Sequence, residues 1–146
     1  MKARNFHDHI DDARVVAAIA AAERRTSGEI RVFISRRTLG SDDLLQRAQA
    51  RFEKLGMTRT AARNGVLLYF LPRDRKFVIL GDRGIHEKCG PAFWSAIAAR
   101  LQERLAAGAF TEGIIEAIAS AGEALAEHFP ADAQGANELP DRIERD

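Results

Sequence analysis

Apolar residues recur at three- and four-residue spacing from Asp8 to Ser27, at Ile10, Ala13, Val16, Ala17, Ile19 and Ala20, which predicts an Ala-rich amphipathic helix. Gly28 is expected to end it as the residue just past the last turn. The period then changes. From Glu29 to Arg37 the chain alternates and is rich in β-branched residues, predicting a strand with Ile30, Val32 and Ile34 on one face. Ser41, followed by Asp42 and Asp43, reads as an N-cap with acids in the first turn, where the helix dipole favours them. Leu44, Ala48, Phe52 and Leu55 continue that helix as an apolar stripe, and Gly56 stops it.

Residues 56–63 form a polar connection to two apolar runs, Gly65–Leu71 and Lys76–Leu80. The Pro72-Arg73-Asp74-Arg75 turn between them is short enough to demand an antiparallel hairpin. Strand one, helix, strand two has the length of a parallel crossover, which is almost always right-handed. Strand two is apolar on nearly every residue, so helices must cover both of its faces. The second half of the chain supplies them. Pro91 stands at the first position of a helix carrying Phe93, Trp94, Ile97, Leu101 and Leu105, and Thr111 is expected to cap another with Ile114, Ile115, Ile118, Leu125 and Phe129. The prediction is one α/β domain over residues 1–130 with no internal repeat, followed by an acidic, mobile tail over 131–146.

A chain of 146 residues buries about 70% of its unfolded surface. The composition, 46% hydrophobic and 29% charged, is that of a globular protein with a packed core. The formal net charge is +1, divided into +4 for the body and −3 for the residues after Ala131. Bases and acids are interleaved throughout the body, which argues against nucleic acid as a partner. No stretch approaches the roughly 18 apolar residues of a membrane span, and the first residues lack the apolar run of a signal peptide. One cysteine, Cys89, excludes an internal disulfide, and a cytoplasmic location is expected.

Connectivity decides where chemistry could collect. The starts of strands one and two and the end of strand three fall on one edge of the sheet. That edge gathers Thr26, Ser27, Glu29, Arg63, Asn64, Asp82 and Arg83, with His86 and Glu87 just beyond, among Gly28, Gly65, Gly81 and Gly84. The glycines read either as caps and turns of positive φ or as places where backbone can approach an ion. Glu29, Asp82 and Glu87 offer carboxylate oxygens and Asn64 an amide oxygen, a set that a calcium-class cation could use with carbonyls and water. The plain reading of Asp82 is a turn or cap aspartate, or a partner for Arg63 or Arg83.

Other candidates have structural readings. His7-Asp8-His9 could coordinate a transition metal but fits a polar helix start. His128 suits the negative end of its helix. Cys89 reads as a small, partly buried residue, Phe93 and Trp94 as core, Arg36-Arg37 as a solvated strand end, and Glu138-Leu139-Pro140 as part of a soluble terminus or a short docking motif.

Five segments resemble, in order and spacing, the signature blocks of the TPM domain. They are Glu23-Arg-Arg-Thr26-Ser27-Gly28-Glu29-Ile30-Arg-Val32, Arg63-Asn64-Gly65-Val-Leu-Leu, Asp74-Arg75-Lys76-Phe77, Gly81-Asp82-Arg83-Gly84-Ile85 and Gly108-Ala-Phe110-Thr-Glu-Gly113-Ile114. The resemblance covers about Asp8 to Pro130. It implies a three-layer α/β/α sandwich with a small mixed sheet, and it links the chain to divalent-cation binding, notably calcium, and to acid phosphatase activity, although many relatives are described as accessory or repair factors. Gly90-Pro91 stands about where relatives place an acid, leaving Glu87 as the nearest carboxylate. A phosphatase would rest on Asp82, His86 and Arg83, yet the chain has no Asp-x-Asp pair, no phosphate-binding glycine loop and no nucleophile elbow. The expectation is a bacterial-type binding or accessory module with an unidentified protein partner and a calcium-class cation at Glu29, Asn64, Asp82 and Glu87. The alternatives are a weak acid phosphatase at the same edge and a metal-free interaction module.

Overall fold

The computed structural model describes residues 10–131 and 142–146. The elements in order are α1 (Asp12–Glu23), β1 (Glu29–Ile34), α2 (Leu44–Lys54), β2 (Gly65–Leu71), β3 (Lys76–Gly81), α3 (Arg83–Cys89), α4 (Pro91–Ala106), α5 (Phe110–His128) and β4 (Ile143–Arg145). The sheet runs β3-β2-β1-β4. The expected crossover and hairpin are both present: β1 pairs β2 in parallel from Glu29 opposite Gly65, and β2 pairs β3 antiparallel from Val66 opposite Gly81.

Alternation sorts the strand residues between two layers. Ile30, Val32 and Ile34 of β1 and Val66, Leu68 and Phe70 of β2 pack against α1, α4 and α5. The other face carries Phe33, Leu67, Tyr69 and Leu71, covered by Ala48 and Phe52 of α2 and by Met57 from the short 3-10 turn Met57–Arg59. β2 is buried along its whole length, the physical basis of its continuous apolar run. The result is an α/β/α sandwich.

Several local expectations are corrected. α1 ends with Arg24 as its C-cap, so Gly28 does not terminate it. A Cβ on Gly28 would lie 2.7 Å from Leu125 Cδ2 and 3.1 Å from the Asn64 carbonyl, which makes this glycine a close-approach residue between α5 and the start of β2. The N-cap of α2 is Asp43, whose side chain accepts from the Gln46 N–H, rather than Ser41. Thr111 lies inside α5, where its hydroxyl accepts the Asp11 N–H at 3.1 Å and so ties α5 to the start of α1.

The pattern of apolar residues stops at Pro130, but the sheet does not. Residues Ile143–Arg145 return as β4, parallel to β1 with Val32 opposite Ile143. Ile143 packs against the layer of α1, α4 and α5, and an ion pair joins the strand on the other face. Arg31, 3% exposed at its side chain, projects from β1 into the α2 face, and Glu144 of β4 reaches its guanidinium at 2.7 Å. Burial is the largest influence on that guanidinium and lowers its pKa, with Glu144 acting against it. A buried charge without a partner is costly. Arg145 adds a bidentate pair to Asp12 of α1, both contacts at 2.9 Å. The candidates His7, Asp8, His9 and Glu138-Leu139-Pro140 lie outside the described residues. Among the described residues no helix is long and apolar enough to cross a membrane.

Candidate functional site

Strand order brings the glycine-rich segments together at the amino ends of β1 and β2. The Asp82 N–H donates to the Gly65 carbonyl at 2.8 Å, and the Gly84 N–H to the Arg63 carbonyl at 2.8 Å. Gly81 and Gly84 do not adopt the positive φ that a turn would need; Arg63 does, at 51°. Both glycines answer to proximity. A Cβ on Gly84 would run into the Ala62 and Arg63 carbonyl oxygens, and one on Gly81 into the ring of Trp94. Backbone oxygens cannot swing away as a flexible side chain can, so position 84 has room only for hydrogen.

Asp82 is the centre of this edge. It is the N-cap of α3 and accepts the Arg83 N–H at 2.8 Å. Its two carboxylate oxygens also accept from Arg63, at 2.6 Å from Nε and 2.9 Å from Nη2. A two-pronged guanidinium–carboxylate pair is among the stronger side-chain interactions, and it pushes the Arg63 guanidinium further above its ordinary range. The plain reading of Asp82, cap and partner of Arg63, is thus realised in one residue.

The other sequence candidates occupy separate roles. Asn64 is buried and donates from Nδ2 to the Ser27 hydroxyl at 3.2 Å. Thr26, also buried, donates to carbonyls at the end of α5, Leu125 at 3.0 Å and Phe129, and accepts the Gly28 N–H at 3.0 Å. Glu29 is buried opposite Gly65 in the parallel register. Arg83, His86 and Glu87 are exposed on α3. Among the described residues no three His, Cys, Asp or Glu side chains come together as metal ligands, so Glu29, Asp82 and Glu87 share an edge without converging on one point. A small cleft of about 140 Å³ opens beside Asp82 against Gln49, Phe52 and Leu80. Burial, with Glu127 next, pushes the Cys89 thiol up, and a protonated thiol is a poor nucleophile.

A second polar cavity, absent from the sequence reading, lies at the opposite ends of the strands. It is lined by Arg37, Arg47, Arg51, Lys54, Tyr69 and Asp146 among others. The signal that could have found it is the spacing of Arg47, Arg51 and Lys54, which puts three cations on one side of α2.

The chain matches the TPM domain over residues 7–124. Comparison with curated proteins returns no match. Among solved structures it is similar to the NMR structure of the BA42 protein from the psychrophilic bacterium Bizionia argentinensis, at 37% identity over 92% of both chains with a TM-score of 0.84. The folded core, the five sequence segments and this likeness agree, and the chain belongs to the TPM domain family.

Proposed function

We propose that this chain is a binding module of the TPM domain family, acting on a protein partner without turnover. The observation that supports the reading is the engagement of Asp82, whose carboxylate accepts two hydrogen bonds from Arg63 and one from the Arg83 N–H. Three of the roughly four lone-pair sites of that carboxylate are thus taken, two of them by a cation, which suits a cap and ion-pair partner better than a nucleophile or general base. Phosphoryl transfer also requires cationic groups aimed at the transferring phosphate, whereas the Arg63 fork is spent on Asp82. Arg83 and His86 are both exposed, which leaves them solvated in any phosphatase role.

A calcium-class cation belongs to the same proposal as its ion-dependent form. It would take oxygens from Glu29, Asn64, Asp82 and Glu87, and it would have to draw Asp82 away from Arg63. Calcium needs six to eight oxygens, so carbonyls and waters would complete the set.

One pair of measurements tests the reading. Metal-stripped protein is assayed for aryl phosphate hydrolysis and then titrated with calcium while amide NMR shifts are followed. The expected result is no turnover above buffer. Saturable shifts confined to residues 26–29, 63–65 and 82–87 would establish the ion-dependent form. Turnover by the parent that is lost in Asp82→Asn would replace the binding module with the phosphatase.

A further inference from the structure

The cavity at the carboxyl ends of β1 and β2 is the place where open α/β sheets bind ligands. Its volume is about 320 Å³, in the lower part of the range of small-molecule sites. One wall is the last part of α2. Arg51 lies with its guanidinium 4.3 Å from the Phe33 ring centroid, and Lys54, one turn on, is exposed. Tyr69, buried and stacked on Phe33 with ring centroids 5.5 Å apart, forms the floor. Arg47 closes the side; it donates to the Thr38 and Leu39 carbonyls and to Asp42, which holds the loop after β1 in place.

One anionic group of the chain already sits in this cavity. The Asp146 carboxylate, its side chain 9% exposed, accepts from the Ser35 hydroxyl and from the Arg36 N–H at 2.8 Å, with Arg37 Nε at 3.7 Å. Burial alone would raise this carboxyl; the Ser35 and Arg36 hydrogen bonds and the Arg37 and Arg51 charges outweigh it and hold the group below its ordinary range. The cavity therefore holds a carboxylate within the chain itself. Among the described residues four cations line it against that single carboxylate, and the outer partner of Arg47, Asp42, is not part of the lining.

We infer that this cavity is a binding site for a small polycarboxylate, such as a di- or tricarboxylate. Arg51, Lys54 and Arg37 are its charge partners, Tyr69 is its floor, and Asp146 occupies one carboxylate position of the site from within. The class follows from three features. The anion held there is a carboxylate, the guanidinium fork suits a planar carboxylate in two-pronged fashion, as it does phosphate, and the excess of positive charge calls for more than one negative group. Asp146 would then act as an internal competitor that lowers affinity for the external ligand. The site lies at the far end of the strands from Asp82, so it stands or falls independently of the function proposed for that edge.

The test is an amide NMR titration of the full chain at low chloride with citrate, then acetate, then inorganic phosphate. Citrate should give saturable shifts at Ser35–Arg37, Arg47–Lys54 and Tyr69, with acetate far weaker. Lys54→Gln and Arg51→Gln should each weaken citrate about fivefold, the scale of one partly exposed charge pair, and Asp146→Asn should tighten it by a similar factor. Lys54 is exposed, so its variant reports on charge without disturbing the core. Four results would overturn the inference: no saturable citrate shifts, shifts centred elsewhere, affinity unchanged in Lys54→Gln, or weaker binding in Asp146→Asn. Tighter binding of phosphate than of citrate would overturn the assignment to carboxylates.

Discussion

The two ends of β1 and β2 are built from similar materials and put them to opposite use. At the amino ends, four glycines and a cluster of polar residues close on themselves: Asp82 on Arg63 and Arg83, Asn64 on Ser27, Thr26 on the end of α5. At the carboxyl ends, among the described residues, four cations line a cavity with one carboxylate. The amino end is drawn from three segments, residues 26–29, 63–65 and 81–87, each conspicuous for polar residues beside glycine. The carboxyl end is drawn from the loop after β1, from α2, from β2 and from the residue after β4, and no single segment announces it. At the amino end Asp82, Asn64 and Thr26 have partners within the chain, whereas the cavity at the carboxyl ends carries an imbalance of charge among the described residues.

That contrast can be strained at either end. The largest effect is expected from Gly84→Ala, whose Cβ would meet backbone carbonyl oxygens. The start of α3 or the Ala62–Arg63 backbone must move, at a cost of about 3 kcal/mol, read from the urea midpoint. A gentler response, under about 1 kcal/mol, would show that the amino end is a loose turn after all.

Next is Glu144→Ala, which leaves the Arg31 guanidinium buried without its ion pair. A loss of about 2 kcal/mol, together with faster amide exchange across β4, is expected. Unchanged exchange in Ile143–Arg145 would mean that backbone pairing, not charge, seats the fourth strand. Asp82→Ala removes a helix cap and the partner of Arg63 in one step, and should cost about 2 kcal/mol in the same denaturation experiment. If Asp82→Ala proved neutral in stability while altering an ion- or partner-dependent signal, the amino end would be a working site rather than a clasp.

The smallest effect concerns pH. Asp146 is held below its ordinary range in the folded chain, so its contribution is fully present above the unfolded value, about pH 4, and is lost as pH falls through the lowered folded value. Melting temperatures of the parent and Asp146→Asn should therefore differ by a constant amount near neutrality and converge in acid. A difference that widens with acid would reverse the sign and show that the carboxylate is not stabilised where it sits.

Much of the sheet was legible because strand and helix carry different apolar periods. The parallel crossover follows from the length between strands, and the burial of β2 on both faces follows from its unbroken apolar run. Gly28, Ser41 and Thr111 were misplaced for one reason: each has the residue type of a cap, and type alone does not say which neighbour it meets. The amino-end cluster was assembled correctly from connectivity, but whether Asp82 faces a ligand or Arg63 depends on a side-chain direction that no spacing records.

The amino-acid sequence by itself determined the α/β class, the first three strands and the shared face of Ile30, Val32 and Ile34, because hydrophobic period and short turns are local properties. Tertiary structure alone decided that residues beyond Pro130 return as β4 and that Asp146 meets Ser35 and Arg36, more than a hundred residues away in the chain. The physical reason is that a short polar strand carries no apolar signal of its own. Its contacts, the parallel pairing with β1 and the ion pair of Glu144 with the buried Arg31, exist only once the sheet and its helices have closed around them.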